Sequence, residues 1–219
     1  MKPRIAISWS GGKDSALALY CLMKENQYEI VSLFTTFTEG YNRISMHGVP
    51  ESLLEKQAAS AGFPLRKVYI PQTCTNEVYQ ERMRHQLIQL KEEGVETFMF
   101  GDIFLEDVRK YREESLEQVG MNAVFPLWGR KTDELVHTFF SLGFKTITTC
   151  VDTEVLSDVF LGRVMDEAFI RELPGAIDPC GENGEFHTFA FEGPIFKKKV
   201  EFNRGENVDR GRFHFCELL

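Results

Sequence analysis

An apolar run, Ile5-Ala6-Ile7, leads through Ser8 and Trp9 into Ser10-Gly11-Gly12-Lys13-Asp14-Ser15, and the chain continues at once with Ala16-Leu17-Ala18-Leu19-Tyr20. A strand that ends in paired glycines and passes directly into a helix permits few arrangements. The glycines let the backbone come close to a ligand, and the unpaired N–H groups of a helix start point at an anion. The junction therefore predicts a strand–helix unit with a phosphate cradle at the carboxyl end of the strand. Adjacent glycines, with no four-residue spacer before a Gly-Lys-Ser/Thr, set it apart from the Walker loop, and the spacing is not a dinucleotide fingerprint.

The same alternation continues downstream. Strand-like runs at 4–8, 30–37, 66–70, 97–101 and 123–125 alternate with helical stretches at 14–25, 50–61, 76–93, 107–118 and 132–141, punctuated by Gly62, Pro64 and Gly94. Another strand is expected at Lys145–Val151. This order predicts an α/β fold, an open parallel five-stranded sheet with helices on both faces, of the Rossmann-like kind. Residues 1–151 are read as a phosphate-binding domain and 152–219 as a small C-terminal α+β domain, with a helix at 156–172 and a strand at Phe186–Phe191. At 219 residues, 43% of them hydrophobic, the chain can bury a core in both parts.

Composition removes several function classes. The net charge is −8 and the longest basic cluster is Lys197-Lys198-Lys199, which disfavours nucleic acid as a partner. No apolar run approaches the roughly 18 residues of a membrane span, and the chain starts on a strand rather than an apolar signal region, so a cytoplasmic location away from membranes is expected. The five cysteines are scattered without a Cys-x-x-Cys pair, against a structural zinc, an iron–sulfur cluster or a redox motif.

Open parallel sheets bind ligands beyond the carboxyl ends of their strands, which directs attention to the loops after residues 8, 37, 101, 125 and 151. In the loop Thr38–Pro50, Met46 offers an adaptable apolar side chain to a ligand, while His47 is either a packing residue or a direct participant. Gly101-Asp102 suits a carboxylate for metal or ribose, or a helix cap, and Arg109 is placed to reach a phosphate. The apolar Pro126-Leu127-Trp128-Gly129 is read as shaping a substrate pocket. Near the C-terminus, Asp178-Pro179-Cys180-Gly181-Glu182-Asn183-Gly184-Glu185-Phe186-His187-Thr188 must turn tightly, either as a plain β-turn or as a loop whose side chains converge on a site.

The loop Ser10–Ser15 resembles the Ser-Gly-Gly-x-Asp-Ser signature of PP-loop ATP pyrophosphatases, the adenine nucleotide alpha hydrolase type. That likeness implies that Ser10, Gly11, Gly12 and Ser15 hold the departing pyrophosphate. Lys13 would add positive charge, and Asp14 would orient Mg²⁺ or a loop amide. The ordered set Ser10–Ser15, Gly101-Asp102-Ile103, Pro126-Leu127-Trp128, Leu161-Gly162-Arg163, Gly181-Glu182-x-Gly184-Glu185-x-x-Thr188 and Gly193-Pro194-x-Phe196 resembles the diphthine-ammonia ligase family over nearly the whole chain.

The resemblance implies that ATP, with Mg²⁺, adenylates a carboxylate, that pyrophosphate leaves, and that ammonia displaces AMP to form an amide. Lys13, Asp14, Asp102, Glu182 and Glu185 are the implied catalytic residues, with Ser10, Gly11, Gly12, Lys13, Asp14, Ser15, Met46 and Gly101 around the nucleotide. Glu182 and Glu185 would orient a substrate cation or deprotonate ammonium. The metal ligands stay open between Asp14 and Asp102. Lys2 in place of a nucleophilic cysteine, and no length for a glutaminase domain, point to free ammonia, the simpler reading, or to ammonia from a separate partner. A homodimer fits relatives of this size. His187, Asn183 and Tyr111 depart from many relatives and, with the Asp178-Pro179-Cys180 lead-in, suggest a bacterial branch; reaction type therefore transfers more firmly than the acceptor, a carboxylate-bearing small molecule or protein. Two other classes compete: an RNA-sulfurtransferase using Cys180 as sulfur carrier, and a nucleotide-binding sensor without turnover.

Overall fold

The computed structural model describes residues 1–44 and 46–219; Ser45, within the loop 38–50, lies outside the described residues. Five strands, β1 (Arg4–Ser8), β2 (Glu29–Thr38), β3 (Leu65–Ile70), β4 (Thr97–Met99) and β5 (Asn122–Val124), pair in parallel in the order β3-β2-β1-β4-β5. Five helices accompany them: α1 (Lys13–Glu25), α2 (Glu51–Ala61), α3 (Asn76–Glu92), α4 (Glu106–Glu117) and α5 (Thr132–Ser141). Side chains alternate across the sheet as the pleat requires. Ile5, Ile7, Leu33 and Phe37 face one layer, filled by α1, α2 and α5, while Ala6, Phe34 and Phe98 face the other, filled by Leu87 and Leu90 of α3 and Leu116 of α4. Helices thus cover both faces, as expected. Strand order reverses at β1, between β2 and β4, which opens a crevice above the carboxyl end of β1.

The strand over 145–151 does not join this sheet. It is β6 (Lys145–Asp152), and with β7 (Phe186–Glu192), β8 (Arg204–Arg210) and β9 (Phe213–Leu218) it forms an antiparallel sheet in the order β7-β6-β9-β8. All of β6 after Lys145 is buried, so it needs a partner along each edge, which β7 and β9 supply. The change of sheet therefore comes before Lys145, and a division at 151 falls at the end of β6.

The helix expected at 156–172 is also broken. The segment makes a 3-10 turn at Asp158–Phe160, an isolated bridge from Val164 to Ile147, and only then α6 (Glu167–Glu172). Two cap residues restart the chain: the Ser157 hydroxyl accepts from the Val159 N–H at 3.4 Å and the Asp166 carboxylate from the Phe169 N–H at 2.8 Å. Between them Gly162 takes φ +69°, a conformation no continuous helix contains.

One apolar cluster runs from Ile5 and Phe37 through Leu17 to Phe144, Phe186 and Phe189, so the two sheets share a core. Burying a Phe or Leu contributes about 1.5–3 kcal/mol, which makes this junction a major part of the stability. A hydrogen-bonded seam lies above it, where the Ala190 N–H of β7 donates to the Gly11 carbonyl at 2.8 Å.

Candidate active site

The phosphate cradle forms where β1 ends. Gly12 precedes α1 in extended backbone and offers no side-chain cap of its own, so the positive end of the helix faces the cradle. Gly11 takes φ +76°, and a Cβ there would lie 2.7 Å from Gln57 Oε1, so glycine is required on both counts. Gln57 is fully buried and pins the loop: it accepts from Trp9 Nε1 at 3.0 Å and donates to the carbonyls of Gly11 at 2.9 Å and Ala190 at 2.5 Å. Ser10 Oγ accepts from the Gly12 N–H at 3.2 Å and lies 3.2 Å from Ser15 Oγ. Gly101 touches the same turn, since a Cβ on it would stand 3.2 Å from the Ser15 nitrogen.

The C-terminal loop closes on this cradle. Thr188 Oγ1 accepts from the Lys13 N–H at 3.1 Å, and Lys13 Nζ binds Asp14 at 2.7 Å and donates to the Cys180 carbonyl, with the Phe186 ring centroid 5.5 Å away. Burial pulls the Lys13 ammonium down, but Asp14 and neighbouring acidic groups outweigh it and hold Lys13 charged. Glu182 Oε1 accepts from the Ile103 N–H at 2.7 Å, tying this loop to the end of β4. Burial, with the charges of Asp14 and Asp102, pushes the Glu182 carboxyl up to about 7.

Two cavities result. A polar one of about 240 Å³ is lined by Ser10, Gly12, Lys13, Asp14, Asp102 and Glu182 among others. An apolar one of about 340 Å³, walled by Trp9, Phe34, Met46, Phe98 and Phe100, adjoins it. Ser8, Ser10, His47, Arg112 and His187 line both and so form the shared wall.

Most residues singled out in the sequence converge here, and several do not. Ser10, Gly12, Lys13, Asp14, Ser15, Gly101, Asp102 and Glu182 line the polar cavity, and Met46, in the left-handed region at φ +64°, lines the apolar one. Glu185 turns away. Its carboxylate accepts from the N–H groups of Asp178 and Asn183, both at 3.1 Å, and from the Asn183 side-chain amide at 3.0 Å. It builds the loop that carries Glu182. Asp102 is not a helix cap, because Leu105 occupies the cap position of α4; it pairs with Arg112 at 2.9 Å.

Arg109 stands outside both cavities, paired with Glu113 at 2.7 Å and stacked over Phe125 and Trp128. The Pro126–Gly129 segment lines neither cavity, since Trp128 is spent on packing against Phe125 and Arg109. The arginine that does reach the site is Arg112, its guanidinium 4.4 Å from the Phe100 ring centroid. A signal for it was present: Arg112 lies four residues before the buried Leu116, on the face of α4 that meets the sheet.

A Gly-Gly cradle at the switch point of a five-stranded parallel sheet, with a basic residue inside and an apolar cavity alongside, defines an ATP-binding α/β protein of the PP-loop type. Residues 3–123 match the diphthamide synthase N-terminal domain and residues 131–218 the diphthamide synthase C-terminal domain, so the chain belongs to the diphthamide synthase family. It is 32% identical to a diphthine--ammonia ligase of Bos taurus over an alignment of 239 positions, covering 98% of this chain and 88% of that protein. It is 26% identical to the Mus musculus protein and 25% identical to the Homo sapiens protein of the same description, each over 94% of this chain and 85% of the relative.

Proposed function

We infer that this chain is an ATP-dependent amide-forming ligase: it adenylates a substrate carboxylate with release of pyrophosphate, and ammonia then displaces AMP. The observation that carries this reading is the closure of the 178–188 loop on the cradle, which puts Glu182 in the same cavity as Lys13 and Asp14. Kinship with proteins described as diphthine--ammonia ligases supports it. In this reading the parallel sheet holds the nucleotide and the C-terminal part presents the acceptor.

Adenosine would occupy the apolar cavity and the β and γ phosphates the polar one. A carboxylate oxygen attacks the α-phosphorus, the α–β bridge breaks, and its electron pair leaves on pyrophosphate beside the Lys13 ammonium. Ammonia then attacks the acyl carbon, and the carbon–oxygen bond to AMP breaks. Glu182, with its carboxyl near 7, suits proton exchange with ammonium at neutral pH.

No group of three or more metal-ligating side chains occurs among the described residues. Mg²⁺ bound with a nucleotide takes one or two protein carboxylates and otherwise phosphates and water, and the cavity offers Asp14 and Asp102 for that purpose. It would supply charge neutralisation on the pyrophosphate. No helix among the described residues is long and apolar enough to cross a membrane, and the described cysteines are free thiols, which supports a reducing, cytoplasmic setting.

The sulfurtransferase alternative is disfavoured by Cys180. Its thiol is buried, donates to the Thr132 carbonyl at 3.4 Å, and is pushed by burial well above the ordinary thiol range, the opposite of a sulfur carrier. A diphthine-bearing protein, ATP and ammonium should yield amide, AMP and pyrophosphate in equal amounts. ADP and orthophosphate as products would overturn the reading.

A further inference from the structure

The wall shared by the two cavities contains a pair of imidazoles. His47 and His187 stack with ring centroids 4.6 Å apart. The orientation of His47 is determined by its neighbour: the Thr188 carbonyl can only accept, so His47 donates Nδ1–H to it at 3.2 Å. His47 also leans on the cradle, with Cε1 3.3 Å from where a Cβ on Gly12 would stand. His187 Nε2, in contrast, is buried without a hydrogen-bond partner among the described residues. Burial keeps both rings neutral, and the Lys13 charge adds to that for each.

An ATP that spans the two cavities must place its α-phosphate at their common wall, since adenosine lies on one side and the β and γ phosphates on the other. We propose that His187 donates Nε2–H to a non-bridging oxygen of the α-phosphate, with His47 as the positioning residue that holds the His187 ring. This assignment rests on the ligase reading only in that ATP spans both cavities. It divides the electrostatics of the step. Lys13 meets the pyrophosphate, where the electron pair of the broken bridge arrives, and a neutral imidazole meets the phosphorus that gains the carboxylate oxygen. No proton leaves His187.

Histidine nitrogen-15 NMR on the full chain, with signals assigned through His187→Gln, tests the position without knowledge of the acceptor. AMP should shift the His187 resonances and inorganic pyrophosphate alone should not. AMP that binds without moving His187, or pyrophosphate that moves it, overturns the proposal. In ATP–pyrophosphate exchange with a diphthine-bearing protein, His187→Leu should lose about 100-fold in rate while ATP affinity changes less than about 3-fold. His187→Gln, which keeps an N–H at similar reach, should stay within about 10-fold of the parent. Equal loss in both variants, or none in His187→Leu, contradicts it. Should His187→Leu not fold, the NMR titration of the unmodified chain decides. A parent chain that forms no amide while AMP still shifts His187 sinks the ligase reading and leaves the α-phosphate contact standing.

Discussion

Replacing Glu185 by Gln separates a builder of the site from a reagent in it. The Glu185 carboxylate is 6% exposed and accepts three hydrogen bonds, from the Asp178 N–H, the Asn183 N–H and the Asn183 amide. A glutamine keeps the shape but exchanges one acceptor oxygen for an NH₂ group, so at least one donor in the loop must face another donor. An unsatisfied buried donor costs about 1–3 kcal/mol. In a domain of this size that lowers the melting temperature by roughly 2–12 °C. The loop also carries the Cys180 carbonyl to Lys13 and Glu182 to Ile103, so ATP binding should weaken together with stability. Calorimetry and ATP titration on Glu185→Gln, beside Glu182→Gln as a control, read both effects. Glu182→Gln should melt near the parent temperature and lose amidation. An unchanged melting temperature with abolished turnover in Glu185→Gln would refute the structural role and return Glu185 to the reacting atoms.

Other outcomes follow from the same contacts. Gln57→Leu strands the buried Trp9 indole N–H and takes one donor from the Gly11 and Ala190 carbonyls, of which Gly11 keeps the Ala190 N–H, and should cost about 2–4 kcal/mol in a denaturant titration. His47 is neutral in the fold, with its pKa lowered to about 4 from the ordinary 6.5, so its unfolded form binds the extra proton between those values. Stability should therefore be complete above pH 6.5 and fall as pH drops toward 4, by at most about 3 kcal/mol from this group, and His47→Asn should flatten that slope. The rate of amide formation should rise with pH through about 7 as Glu182 loses its proton, and a flat rate between about pH 6 and 8 would count against that role.

Local chemistry was legible and long-range chemistry was not. The Ser10–Ser15 loop, the parallel five-stranded sheet and the helices on both faces follow from periodicity and glycine placement, which act over a few residues. The side chains that complete the site meet across large separations: Lys13 with Thr188, Ile103 with Glu182, Gln57 with Ala190. Nothing in the spacing of Glu182 and Glu185 says that one faces the cavity and the other its own loop; the reversal of the backbone at Gly184, φ +89°, decides it. Arg109 and Arg112 lie one helical turn apart, and the face of α4 that Leu116 marks chooses between them. β6 reads as a strand from its residues, but its sheet is settled by β7 and β9, which come later in the chain.

In the proposed reaction a carboxylate oxygen attacks the α-phosphorus held between the two cavities. Running the reaction with an acceptor whose carboxylate carries oxygen-18, and reading the phosphorus NMR isotope shift of the products, tests it directly. The label should appear in AMP and not in pyrophosphate. Label that stays out of AMP, or AMP formed without label while amide accumulates, would contradict adenylation.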